Sequence, residues 1–234
     1  MTALITASYY LIPSFREIVL QNRYDWEHDN PFVSSHSDID HILDRFTKKR
    51  YSNLEPSYLI WSNSDQPKFQ KLLSDKSYTI IKREDFFKKI AGDFRIKDFV
   101  CRDSLYEACL FDPQLSYHWL IDKKLLYALV DLQSAIEAEG YDPTAFTISY
   151  GHRHPKENAS AGGASLSRHI SGQAIDMLIG DINQDGRYTD IDKQIVLDIA
   201  NQDIIGDRGG IGRYPGTRTV HIDVRGYRAR WDSY

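Results

Sequence analysis

The chain has 234 residues, 41% hydrophobic and 26% charged, with a net charge of −4. Such a composition suits a globular protein of one large or two small domains, and the acidic balance excludes a general nucleic-acid binder, which needs a basic face. No apolar run reaches membrane-spanning length: the Leu4–Leu20 stretch is interrupted by Ser8, Pro13, Arg16 and Glu17, and it fails as the apolar core of a leader for the same reason.

The N-terminal 93 residues mix charged and aromatic side chains. Asp38–Lys48 predicts a helix with Ile39, Ile42, Leu43 and Phe46 on one face. His36, Asp38, Asp40 and His41 at its start have a metal-like composition, but a cap at Ser37 or Asp38 explains the polar run without an ion. Tyr58–Trp61 and Tyr78–Ile81 read as short strands, Asn63–Pro67 as a turn and Glu84–Ile90 as a helix. Residues 1–93 are therefore set apart as a region of mixed α/β character and unassigned role, and residues 94–234 as a second unit.

In that second unit Cys101 and Cys109 lie eight apart, and both a disulfide and two buried free thiols remain open. Ile121–Gly140 is the clearest helix, with Ile121, Leu125, Leu129, Leu132 and Ile136 at helical spacing, Asp122 at its start and Gly140 at its stop. Ala145–Tyr150 reads as a strand leading Arg153 into a loop, and Asn158–Gly163 as a small, flexible segment. Thr217–Val224 reads as a strand with His221 and Asp223 on one face and Val220, Ile222 and Val224 on the other. The fold class is α+β, a small antiparallel sheet with helices packed on one side. The 15 tyrosines suit a groove for sugar or peptide as well as ordinary exposed positions.

Two stretches carry metal chemistry. His169 and Asp176 stand seven apart around Gly172 and Ala174, and His221 follows far downstream. Two imidazoles and a carboxylate form the ligand set of a catalytic zinc site, whose fourth position stays open for water. A bend at Gly172 lets His169 and Asp176 converge. The second stretch, Asp181–Asp192, places oxygen ligands at loop positions 1, 3 and 5, glycine at 6, threonine at 9 and a carboxylate at 12. This is an EF-hand calcium pattern with Asp in place of the final Glu. Its expected ligands are Asp181, Asn183, Asp185 and Asp192, the Arg187 carbonyl, and Thr189 directly or through water.

The S-x-H-x-x-G-x-A-x-D pattern of Ser167–Asp176 resembles the first metal motif of the LAS-type zinc peptidases, the D-Ala-D-Ala carboxypeptidase-like enzymes of peptidoglycan. Ser149–Asn158 is similar to that family's S-G-Y-R-S-P…N segment. Gly209–Pro215, Val220–Asp223 and Arg228–Trp231 resemble the C-terminal part of its carboxypeptidase-like branch. The calcium loop resembles the dockerin type. The family resemblance implies a zinc metallopeptidase with His169, Asp176 and His221 as ligands and Arg153 contacting substrate. It gives Ser167 a structural role, and it makes Gly209–Pro215 a loop from which Arg213 and Tyr214 reach substrate. Related enzymes place a carboxylate three residues before the last histidine, or a histidine two before it. Arg218 and Thr219 stand there in this chain. Asp223 is then a candidate general base or an orienting group, and His152 and His154 are further candidates for the base.

The function implied is hydrolysis of peptidoglycan stem peptides, as a D,D-carboxypeptidase or endopeptidase. Cleavage of L-Ala–D-Glu or of a cross-bridge is an alternative, as is a metal-stabilised cell-wall-binding module without turnover. The same resemblance implies peptidoglycan as partner and an exported protein, periplasmic or cell-wall associated, whose leader is absent from the sequence.

Overall fold

A computed structural model of the chain describes residues 12–233. The Leu4–Leu20 stretch thus lies partly outside the described residues, and among these no helix is long and apolar enough to cross a membrane. The order is α1 (Pro13–Glu27), α2 (His36–Leu43), β1 (Lys48–Arg50), α3 (Pro56–Trp61), α4 (Pro67–Leu73), β2 (Ser77–Ile81), β3 (Lys89–Ala91) and β4 (Phe94–Arg95). Then come α5 (Ser104–Phe111), β5 (Tyr117–Trp119), α6 (Lys123–Ala138), β6 (Phe146–Tyr150), α7 (Pro155–Ser160), β7 (Ala174–Ile179), α8 (Asp190–Ile199), β8 (Gly210–Arg213), β9 (Thr219–Asp223) and β10 (Ala229–Asp232).

The main sheet runs β10-β8-β9-β7-β6, antiparallel except for the parallel β10–β8 pair. Alternation along β7 sends Ile175, Met177 and Ile179 to one face, where they join Val220 and Ile222 of β9 and Leu125, Leu129, Leu132 and Ile136 of α6 in one buried core. The opposite face carries Asp176 and His221. Helix α6 forms as its sequence predicts: Asp122 accepts from the Lys124 amide at 3.1 Å, and Gly140 beyond its end takes φ +83°.

Three expectations for the N-terminal region change. Tyr58–Trp61 is helical, because Pro56 at the first helical position follows an extended Glu55 and starts α3. Glu84–Ile90 is a 3₁₀ turn (Asp85–Phe87) leading into β3, with Phe86 and Phe87 both buried. Helix α2 starts earlier than expected, capped by Ser35, and stops at Leu43. His36 pairs with Asp131, Asp40 with Lys123, and His41 with Arg45, so the His36–His41 cluster is dispersed.

Sheet and core both cross the expected 93/94 division. Strand β5 has β2 as its sheet partner, in the order β1-β2-β5. Val33, Ile39, Leu43, Ile81, Phe86 and Phe87 belong to the same core cluster as α6 and the main sheet. Arg95 forks onto Asp25 at 2.8 and 3.0 Å, and Lys97 meets Glu17 at 2.6 Å. A fragment comprising residues 94–234 loses the β5 partner and the cover of α6. It should therefore lack a cooperative unfolding transition by circular dichroism, whereas the full chain shows one; a sharp fragment melt would establish an independent C-terminal domain.

Candidate metal centre

Register places the first two ligands. Asp176 of β7 lies directly opposite His221 of β9, on the face away from α6. His169 arrives by a turn in which Gly172 accepts φ +67°, and a Cβ there would stand 2.4 Å from the Leu120 carbonyl oxygen, so the position is held to glycine twice over. The Ser167 hydroxyl accepts from the His169 amide at 3.4 Å, consistent with a structural role.

Three ligand atoms converge. His169 Nε2 lies 3.2 Å from Asp176 Oδ1 and 3.2 Å from His221 Nδ1, and His221 Nδ1 lies 2.8 Å from Asp176 Oδ1. Tetrahedral zinc with ligands at about 2.0–2.1 Å spaces them about 3.3 Å apart, so the three atoms fit such an ion. Among the described residues this is the group of histidines and carboxylates that gathers as a metal site, and all three members are buried. The other ring nitrogens are committed. His169 Nδ1 donates to the Gly151 carbonyl at 2.7 Å, and His221 Nε2 donates to Asp223 Oδ2 at 3.2 Å. Each bond fixes the tautomer that turns a lone pair toward the centre.

The charges are balanced locally. Burial opposes ionisation of Asp176, but hydrogen bonds with His169 and His221 outweigh it and hold the carboxyl well below the usual range. Burial lowers His169. In His221 burial is overcome by Asp176 and Asp223, which raise it.

Arg153 lies at the centre. The Arg153 guanidinium donates to Asp176 Oδ2 at 2.9 Å and covers the Tyr150 ring at 4.0 Å, while its Nε is buried without a partner. Burial raises the Tyr214 phenol, with Asp176 adding to the effect and Arg153 opposing it. Asp223 stands across the His221 ring from Asp176. It is fully buried, takes two bonds from the Arg225 side chain at 2.7 and 2.5 Å, and accepts the Gly210 amide at 3.1 Å. That position suits the orienting role and leaves no oxygen free for a base. His154 is bonded at both nitrogens, to Asp103 and the Glu157 amide, and starts α7. His152 packs edge-on to Tyr78 and meets the Leu120 amide at 3.5 Å.

Arg213 pairs with Val220 in the sheet register, is exposed, and forks onto Asp232 at 2.6 and 2.9 Å. Gly210 and Gly212, expected in a loop, sit in β8 facing the metal side. There the Gly212 position is covered by the Trp231 indole, whose ring centroid lies 5.1 Å from that of His221. Arg225 was not singled out from sequence, although strand alternation from His221 through Asp223 points to it. Cys101 and Cys109 are free thiols, both pushed up to about 12 by burial.

The Asp181–Asp192 loop folds around its own backbone. Asp181 accepts the Asp185 and Gly186 amides at 3.1 and 2.8 Å, and Asp192 accepts those of Asn183 and Thr189 at 3.2 and 2.7 Å. Gly186 takes φ +83°. The Asp185 carboxylate likewise accepts a backbone amide, that of Arg187, at 2.9 Å.

The family profile of Peptidase M15 matches residues 93–223, more than half the chain. The chain therefore belongs to the peptidase M15 family, and its His–Asp–His triad lies within the matched region. No curated protein and no solved structure matches the chain significantly.

His152 provides a pH signature. Burial, reinforced by His154 and His169, pushes its pKa down to about 3, below the ordinary 6.5. The folded state holds it neutral while the unfolded state takes up a proton, so its contribution is complete above pH 6.5 and is lost as the pH falls toward 3. Between pH 6.5 and 5 this group should cost urea unfolding about 1.7 kcal/mol, a share of the loss that His152→Gln removes; equal pH slopes in both proteins would contradict the assignment.

Proposed function

We propose that the protein is a zinc-dependent metallopeptidase hydrolysing peptide bonds of peptidoglycan stem peptides, as a D,D-carboxypeptidase or endopeptidase. The observation that carries this reading is the convergence of His169 Nε2, Asp176 Oδ1 and His221 Nδ1 in a member of a peptidase family. These residues would hold zinc, which supplies Lewis acidity and an activated water near neutral pH. The Arg153 Nε–H, buried and unpartnered, is a donor for a substrate carboxylate or a developing oxyanion. Tyr214 is assigned as a second substrate contact, on its place in the Gly209–Pro215 segment. Asp223 is assigned to orienting His221. Such a substrate places the protein outside the cytoplasmic membrane, in the periplasm or cell wall.

The alternative of a non-catalytic wall-binding module is favoured by one observation. Asp223, His152 and His154 are all engaged, and Arg218 and Thr219 occupy the positions where relatives carry a base. Mass analysis of muropeptides incubated with the zinc-loaded protein separates the readings. Loss of a terminal D-Ala supports the carboxypeptidase, internal products identify an L-Ala–D-Glu or cross-bridge endopeptidase, and intact muropeptides identify the binding module. His169→Ala and His221→Ala should each abolish both hydrolysis and retention of about one zinc per chain; full zinc retention in either variant would overturn the ligand assignment.

Asp223→Asn should weaken zinc binding about 10- to 100-fold by loosening His221, while kcat of the fully loaded enzyme stays within about tenfold of wild type. Unchanged zinc affinity with kcat down about 100-fold or more would return Asp223 to the base role.

We also propose that Asp181, Asn183, Asp185 and Asp192, with the Arg187 carbonyl, hold a structural calcium. The support is the loop pattern and the Gly186 turn. Binding at a hundredfold excess over Kd adds about 2.7 kcal/mol. The melting temperature of chelator-stripped protein should rise by several degrees in millimolar calcium, and Asp185→Ala should remove the rise; a wild-type melt indifferent to calcium refutes the site.

A further inference from the structure

A cavity of about 530 Å³ opens beside the far end of the metal-bearing strand β9, between α6, the helical turn 200–204 and α2. Its volume falls in the roughly 300–1,000 Å³ range of small-molecule sites. The His36 and Tyr127 rings, both lining it, stack on each other with centroids 4.1 Å apart and planes 12° from parallel. Ala128, Ile204, Ile205 and Val224 contribute an apolar wall.

The charge on this lining is unbalanced. His36 is paired with Asp131 at 2.8 Å, and Asp223 is occupied by His221 and Arg225. Lys124 and Arg208, the other charged lining residues, have no acidic partner among the described residues. Because His36 is charged only if protonated, the Asp131 carboxylate offsets one of these two cations, and the single positive charge left over at an apolar, aromatic-walled cavity complements a single anion carried on an apolar body.

We infer that this cavity is a second binding site, distinct from the metal centre, for a small carboxylic acid with an aromatic or aliphatic body. Lys124 and Arg208 hold the carboxylate, and the His36–Tyr127 pair with the isoleucines receives the apolar part. The site connects the N-terminal region, through His36, to Asp223, which steadies a metal ligand. The inference stands apart from the peptidase reading, because binding is measured without turnover.

Isothermal titration of metal-free full-length protein with N-acetyl-L-phenylalanine, against N-acetyl-L-phenylalaninamide, tests it. The acid should bind at least about tenfold more tightly than the neutral amide, a difference of about 1.4 kcal/mol. The Lys124→Gln/Arg208→Gln variant should lose that preference while keeping the wild-type circular dichroism spectrum and zinc uptake. Arg153→Gln should leave acid binding unchanged. Equal affinities for acid and amide, or no binding of either up to millimolar concentration, would overturn the proposal. So would a preference lost in Arg153→Gln and kept in the double variant, which places the carboxylate at the metal centre. If the double variant misfolds, Ala128→Trp, which fills the cavity from α6, takes its place and should abolish binding of the acid.

Discussion

A buried chain of alternating charge, Arg153–Asp176–His221–Asp223–Arg225, organises the molecule, with successive contacts of 2.9, 2.8, 3.2 and 2.5 Å. Two carboxylates removed from water would be costly if unpaired. Here each lies between a guanidinium and the same imidazole. The central imidazole is thereby gripped at both nitrogens, and its ring orientation follows from the strand pairing of Asp176 with His221. A one-residue slip of either strand would send its member of the pair, Asp176 or His221, into the apolar core, so correct sheet formation and site formation are one requirement.

The rest of the fold serves that register. Ile175 and Met177 of β7 and Val220 and Ile222 of β9 lock the sheet onto α6. Helix α6 is covered in turn by α2 and β3 from the N-terminal region, where the Gly92 Cβ position would collide with Gln133 at 2.2 Å. The N-terminal region thus reaches the His169–Asp176–His221 centre through packing rather than by contributing a residue to it.

How far the sequence foretold this depends on the range of the determining interaction. The triad was legible because a glycine-centred spacing and strand alternation are local, and the α6 periodicity is local too. Tyr58–Trp61 was misread because aromatic β-propensity lost to Pro56, and Glu84–Ile90 because burial of Phe86 and Phe87 is decided by partners distant in sequence. The side of the sheet taken by Arg213 required its register against Val220. Commitment of both His154 nitrogens required Asp103, 51 residues away. Strand pairing across β2 and β5 hid the continuity between the two halves of the chain.

The sheet order β10-β8-β9-β7-β6 also dictates when the centre can come into being during synthesis. Strand β9 occupies the middle, yet β7 and β8 are both made before it. Neither can pair with the other, because the place between them belongs to a segment still within the ribosome. The nascent chain therefore carries the apolar face of β7 with one flank open until residue 223 has emerged. Folding proceeds from the N-terminal end during translation, so the late strand closes the sheet and delivers His221 in a single event. Before that moment His169 and Asp176 offer an ion only two ligands. The His169–Asp176–His221 set is therefore complete only once β9 has paired with β7, and a chain stalled before β9 emerges lacks it.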